Sequence, residues 1–128
     1  MKRPGPSFRQ RLLIESLTVL AADAPVQTGW LGDHGVTTDD LAQHFGRAYR
    51  LADALVAGGY LHAEVLPRLR DIDRTLDELT AGDDADRWTT AALAGDEAWD
   101  RIRQSARQAL ITAVGDWDLP MPTITVVR

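Results

Sequence analysis

Apolar residues that recur in alternating steps of four and three are the sequence feature that most constrains the fold. One series runs from Val65 to Leu79 and a second from Leu41 to Leu55; their members are Val65, Leu69, Ile72, Leu76 and Leu79, and Leu41, Phe45, Ala48, Ala52 and Leu55. Such spacing places every apolar side chain on one side of an α-helix. A helix with an apolar stripe buries it against another element. The sequence therefore predicts helices packed on helices.

The same periodicity, together with capping residues, predicts four to five helices, over about 7–23, 37–57, 63–80, 86–94 and 97–114. Pro25 should end the first helix, because the residue before a proline disfavours the helical region. Residues 25–36 contain three glycines and no sustained period, which indicates a loop. Pro67 falls in the first turn of the third helix, so that 63–66 can form a separate turn.

Short connections between helices favour antiparallel neighbours. We therefore predict an all-α fold, a compact bundle of four to five helices that forms a single domain over residues 1–128. Prolines make residues 1–6 a flexible arm and residues 119–128 an extended tail. The predicted core consists of Leu13, Leu17, Leu20, Phe45, Leu55, Leu69, Ile72, Leu76, Trp99, Ile102 and Leu110.

The end of the tail, residues 123–127, combines β-branched side chains with an alternating pattern, which favours an extended course. Exposed apolar side chains and unsatisfied backbone groups are unfavourable in water. We expect this segment either to lie against its own bundle or to pair with another chain. A second copy is the simplest such partner, which gives a homodimer through the tail.

Composition excludes several classes of protein. The net charge of −5 argues against non-specific binding of nucleic acid. There is no cysteine, so disulfides, thiolate metal sites and cysteine nucleophiles are ruled out. No apolar run is long enough to cross a bilayer, and Arg9, Arg11 and Glu15 interrupt any signal-peptide core. We expect a cytoplasmic protein without a membrane partner.

Motifs for catalysis or for cofactor binding are not found. His34, His44 and His62 lack the spacing of a zinc site, and Asp83, Asp84 and Asp86 do not fit the calcium loop of an EF-hand. The sequence contains neither a nucleophile motif around a serine nor a glycine-rich phosphate loop. We therefore predict no catalytic, cofactor-binding or metal-binding residues, and a protein that is not an enzyme.

Two tryptophans are not explained by helical periodicity. Trp30 lies in the predicted loop, and Trp88 follows Asp83 and Asp84 closely. An aromatic side chain surrounded by acids is a candidate anchor for another protein. The main prediction is therefore a non-catalytic protein-binding or regulatory module, either an adaptor or an immunity- or antitoxin-type inhibitor, with Trp30, Asp83, Asp84 and Trp88 as binding residues.

A second interpretation concerns residues 37–61. The pairs Leu41-Ala42 and Leu55-Val56, a glycine between them at position 46, and the following Gly59-Tyr60-Leu61 resemble part of a winged helix-turn-helix repressor. The resemblance implies a degenerate DNA-binding regulator that would contact DNA through Arg47, Tyr49 and Arg50. The stretch from 46 to 59 is one helical turn short of a recognition helix, and no wing follows it. An enzyme with no recognisable motif is the third interpretation.

Overall fold

The structure, a computed structural model, describes residues 6–82 and 84–122. In this part of the chain every regular element is a helix: α1 (Pro6–Ala21), α2 (Ala24–His34), α3 (Thr38–Tyr49), α4 (Ala52–Ala57), the 3-10 helix η1 (Ala63–Val65), α5 (Leu66–Ala81), the 3-10 helix η2 (Ala85–Trp88), α6 (Thr90–Gly95) and α7 (Glu97–Val114). The all-α fold class is confirmed. Most of the predicted arm, Asp83 and the end of the predicted tail lie outside the described residues.

Helices α1, α5 and α7 pack closely together at the centre of the fold. Glu78, near the end of α5, pairs with Arg101, near the start of α7, and η1 contacts α7 as well. These two contacts make α5 and α7 antiparallel. Helix α1 also runs antiparallel to α7, since Ala22 is bound by Arg103 and Ala21 by Arg107.

Every residue predicted for the core is buried, from Leu13 in α1 to Leu110 in α7. Both stepped series point inward as expected, and the core is joined by residues that were not predicted for it, among them Trp30, Leu31 and Leu93. The prediction of which helix faces are apolar is thus confirmed.

Helix α7 has the predicted bounds because both of its ends are encoded locally. At the start, the Asp96 carboxylate accepts a hydrogen bond from the Ala98 N–H at 2.9 Å. At the other end, Gly115 adopts the left-handed conformation with φ 86°. The start of α3 is also encoded locally, since Thr37 and Asp40 form a reciprocal capping box.

The predicted loop over 25–36 is wrong, because most of this segment forms α2. Pro25 lies in the first turn of α2, where its missing N–H would have no helical partner in any case. Gly29 and Gly32 lie on the exposed side, while Gln27, Trp30 and Leu31 are buried. Burial of these three side chains offsets the low helix propensity of the glycines.

The single helix predicted over 37–57 is broken into α3 and α4. The Leu51 N–H donates to the Ala48 carbonyl, a tighter 3-10-type bond that ends α3. Ala48, Ala52 and Leu55 are buried on both sides of the break, so that the apolar series is kept while the helix is not. With α2, this break and the division of 85–95 into η2 and α6, the chain has more helical segments than the four to five predicted.

The end of α1 is stabilised by side chains from other helices. The last carbonyls of a helix have no partner within it, and α1 has no glycine to close it. Gln27 of α2 donates to the carbonyls of Val19 and Leu20. The next two carbonyls, those of Ala21 and Ala22, accept from Arg107 and Arg103 of α7 at 2.9 and 3.0 Å.

Ile72 provides a direct test of the core. Its side chain is completely buried in α5, so Ile72→Ala should lower the free energy of unfolding by about 2–5 kcal/mol in chemical denaturation. Asp77→Ala, on the exposed side of the same helix, is the matched control and should stay within roughly 0.5 kcal/mol. Equal effects of the two substitutions would contradict the burial described here.

Candidate protein-binding site

Trp30 is a structural residue rather than a surface anchor. It is only 7% exposed, and its ring stacks on His34 with the ring centroids 4.5 Å apart. The indole N–H donates to the carbonyl of Pro122 at 2.8 Å. Trp30 therefore holds the C-terminal segment against α2, and a partner protein cannot reach most of its ring.

The C-terminal segment after α7 lies along the end of α1 and the start of α2. The Trp117 ring is stacked on the Arg107 guanidinium, 3.8 Å from the ring centroid, and Leu119 and Met121 pack half-buried against the core. A partly open cavity of about 140 Å³ remains under this segment, lined by Thr18, Ala22, Asp23, Val26, Trp117, Asp118, Leu119 and Met121. Up to Pro122, the predicted tail thus packs on its own bundle, while residues 123–128 lie outside the described part.

Trp88 lies in η2 and is half-buried. Its ring meets Trp99 edge to face, with the centroids 5.7 Å apart. The Trp99 indole N–H in turn donates to the Arg87 carbonyl at 2.7 Å. One part of the Trp88 ring is therefore fixed by packing, while another part remains accessible.

The backbone around Trp88 is held by polar contacts of its neighbours. Asp84 accepts a hydrogen bond from the Asp86 N–H at 3.0 Å and so caps η2. Arg87 forms a two-pronged ion pair with Asp96, at 2.8 and 3.2 Å. Of the predicted binding residues, Asp84 thus caps η2 and Trp88 lies in it, while Trp30 lies elsewhere, on α2.

Carboxylates are concentrated at the end of the bundle that carries Trp88. We call this end, residues 71–82 and 84–103, the acidic end; its described residues comprise nine carboxylates and four arginines, a net charge of −5. The antiparallel packing of α5 and α7 brings the end of one helix beside the start of the other. The four arginines pair with carboxylates of the same end: Arg74 with Asp71, Arg87 with Asp96, Arg101 with Glu78 and Arg103 with Asp100.

The remaining carboxylates carry the excess charge: Asp73, Asp77, Asp84, Asp86 and Glu97. Partial burial and the nearby charge of Asp77 raise the pKa of Asp73. The hydrogen bond from Arg87 lowers the pKa of Asp96, and the Ala98 N–H adds to this effect. Arg87 and Asp96 are thus fixed as an ion pair, while the others give the end its negative field.

Arg103 is the buried polar residue that sequence reasoning missed. It is 7% exposed, and besides the Ala22 carbonyl its guanidinium binds the Leu93 carbonyl at 2.7 Å and the Gln27 side-chain oxygen at 3.1 Å. It joins α1, α2 and α6 to α7. Its spacing, four residues after Trp99 and three before Ala106, places it on the buried side of α7. An arginine is nevertheless ordinarily assigned to the surface.

The residues predicted for DNA contact are spread over α3 and its end. Arg47 and Arg50 are exposed, whereas Tyr49 is half-buried and stacked on Phe45 at 5.7 Å. Gly46, which belongs to the helix-turn-helix resemblance, lies within α3, and the chain bends only after Tyr49. The following α4 has six residues and exposes Asp53, Ala54 and Ala57, which offer no hydrogen-bond donor to DNA bases.

His44, on α3, faces α1 at half-burial. Burial lowers its pKa, the nearby Glu15 carboxylate acts in the opposite direction, and Arg47 adds to the lowering. Within residues 6–82 and 84–122, no group of three or more histidine and carboxylate side chains is arranged to hold a metal ion. Among the described helices, none is long and apolar enough to span a bilayer.

Comparison with known proteins gives no relative: no protein-family model, curated protein or solved structure matches the chain.

The packing of the C-terminal segment can be tested by deleting residues 119–128. The deletion removes the half-buried Leu119 and Met121 and the acceptor for the Trp30 indole. We expect a lower melting temperature in differential scanning calorimetry and an unchanged mass in light scattering. A dimer that becomes a monomer on deletion would show instead that the tail assembles two chains.

The ion pair between Arg87 and Asp96 predicts a pH dependence of stability. Because the folded-state pKa of Asp96 lies below its unfolded value of about 3.9, the pair stabilises the protein above that value and the effect is lost as the pH falls through the folded-state pKa. Asp96→Asn keeps a capping side chain for α7 but removes the charge. Its melting temperature should be lower than that of the wild type at pH 7, with the difference shrinking below about pH 4.

Arg87→Gln is the matched variant for the same pair. It should show the same pH-dependent loss, and the double variant should lose less than the sum of the two single losses. Additive losses that do not change with pH would mean that the ion pair contributes nothing.

Proposed function

We propose that the protein is a non-catalytic, cytoplasmic protein-binding module whose acidic end binds a basic surface of a partner protein. The observation that supports this is the concentration of nine carboxylates at the end of the bundle that also carries the half-buried Trp88. An adaptor or an inhibitor of the immunity or antitoxin type would use such a surface.

The charge of the acidic end favours a positively charged partner. Its arginines are engaged with carboxylates of the same end, so the excess negative charge faces solvent at Asp77, Asp86 and Glu97, which are exposed. Complementary charge accelerates association and discriminates against partners of the wrong sign. Such binding weakens with salt.

Trp88 supplies the apolar part of the proposed interface. Tryptophan is enriched among residues that dominate binding energy, above all where a rim of polar residues surrounds it. Its contact with Trp99 and the Arg87–Asp96 pair fix the ring before a partner arrives. A pre-organised aromatic side chain loses little conformational freedom on binding.

The proposal is tested by capture from an extract of the cells that produce the protein. Wild type is compared with the variant Asp77→Asn/Asp86→Asn/Glu97→Gln, which neutralises three exposed carboxylates without changing side-chain shape. A basic protein should be retained by the wild type and lost in the variant, with binding of the purified partner weakened about tenfold or more at low salt. Trp88→Ala should weaken binding of the same partner. The melting temperature of this variant is measured as well, to show that it is folded.

The matched control neutralises three exposed carboxylates elsewhere, as Asp39→Asn/Asp53→Asn/Glu64→Gln. This control has the same net charge as the first variant and should retain the partner. Equal loss of the partner by both variants would mean that binding depends on net charge alone. Retention of the partner by the first variant would place the interface outside the acidic end.

A further inference from the structure

The end of the bundle opposite the acidic end is rich in arginine. We call it the basic end and define it as residues 8–15, 44–70 and 108–116. Its charged residues are six arginines, Arg9, Arg11, Arg47, Arg50, Arg68 and Arg70, and four acids, Glu15, Asp53, Glu64 and Asp116, a net charge of +2. The protein is therefore electrically polar along the axis of its helices.

Contacts between elements and the course of the chain bring these segments to one end, since α4 contacts α1 and is followed directly by residues 58–60. The Gln10 side chain, near the start of α1, donates to the Tyr60 carbonyl at 2.9 Å. The 3-10 helix η1 contacts α7, and α5 starts directly after η1. Because α5 and α7 are antiparallel, the start of α5 lies beside the end of α7, away from η2.

The basic end also carries most of the large apolar side chains that the described part of the chain leaves in water. Phe8, Tyr60, Ile111 and Val114 are 42–48% exposed and lie at this end, whereas Val26 lies beside the C-terminal segment. The Arg11 guanidinium lies over the Phe8 ring, 5.6 Å from its centroid. Apolar side chains among arginines suit a partner that combines acidic residues with an aromatic one.

We propose that the basic end of one copy binds the acidic end of a second copy, so that the protein associates head to tail. This inference rests on the proposed function, since it names the partner of the acidic end. The acidic end has the required chemistry: excess carboxylates at net −5, and Trp88 half-exposed among them. Charge complementarity between the two ends of one molecule thus selects a second copy as the occupant.

The length of the molecule lets its ends act separately. Helix α5 has 16 residues, which corresponds to about 24 Å, whereas charges are screened over about 10 Å at 0.1 M salt. At that ionic strength opposite ends attract each other although each copy carries −5 in total. At about 0.01 M salt the screening length is about 30 Å, so that repulsion between whole molecules opposes association.

Association of unlike surfaces has a second consequence. Each complex retains one free end of each kind, so further copies add until a ring closes or a filament grows. A symmetric dimer through the C-terminal segment would stop at two copies. The two modes of assembly therefore differ in how mass depends on concentration.

The experiment is sedimentation velocity of the full chain at increasing concentration, in 0.01, 0.1 and 0.5 M salt. The average mass should rise above 14.1 kDa with concentration, most strongly at 0.1 M salt. Two variants should each abolish this rise: Asp77→Asn/Asp86→Asn/Glu97→Gln at the acidic end and Arg50→Gln/Arg68→Gln at the basic end. Mixed together, they should form a 1:1 complex that grows no further, because each supplies one intact end.

Val114→Ser and Val26→Ser are a matched pair for the apolar contribution, since the two valines are almost equally exposed. Val114→Ser should weaken association severalfold, and Val26→Ser should leave it unchanged. A wild type that stays monomeric at 0.1 M salt, or a mixture of the charge variants without a complex, would overturn the proposal. Monomeric wild type that still captures a basic protein through the acidic end would overturn this inference and leave the proposed function intact.

A dimer that does not grow, and that is lost on deletion of residues 123–128, would also overturn the head-to-tail arrangement in favour of assembly through the tail.

Discussion

The end of α1 depends on donors from elsewhere in the chain, and much of the fold is arranged around it. Four successive carbonyls, from Val19 to Ala22, accept hydrogen bonds from Gln27, Arg107 and Arg103. Two of these donors are cations, which also interact favourably with the negative end of the helix dipole. The same contacts fix α2 and α7 in place. Without them, the carbonyls of Ala21 and Ala22 would lose these donors, and a buried carbonyl without a partner costs about 1–3 kcal/mol.

Arg103 is the most deeply buried cation in this network. A buried guanidinium is tolerated where its donors are satisfied, and here they reach two carbonyls, an amide oxygen and the Asp100 carboxylate. Through the Leu93 carbonyl it also binds α6, which connects η2 with α7. The acidic end and Trp88 are thereby supported on a rigid base. Preorganisation of this kind favours a surface that binds without rearranging.

The separation of charge between the two ends of the molecule depends on the antiparallel packing of α5 and α7. Arg68 and Arg70 lie near the start of α5 and Asp77 and Glu78 near its end, with acids again at the start of α7. Only antiparallel packing turns this order along the chain into a separation of charge in space. In a parallel arrangement the acids at the start of α7 would lie beside Arg68 and Arg70 and offset them. The proposals for both ends follow from that packing.

Sequence reasoning predicted the class of fold, the buried faces and the bounds of α7, because each of these depends on local information. Periodicity identifies an apolar face, and Asp96 and Gly115 fix the ends of α7 through their own side chain and backbone. Of the candidate site residues, Asp84 caps η2 and Trp88 lies in it, whereas Trp30 is buried in α2. Its indole N–H binds Pro122, 92 residues away, and no local pattern indicates such a contact.

The sequence by itself determined that the chain is helical, which faces are apolar and that the net charge is negative. The tertiary structure alone decided that residues 24–34 are a helix, that the second helix breaks after Tyr49, and that Arg103 is buried. In α2, the burial of Trp30 and Leu31 outweighs the low helix propensity of two glycines. At Arg103, hydrogen bonds to buried carbonyls outweigh the preference of an arginine for water. Such contacts join residues far apart in the chain, and they exist only once the helices have packed.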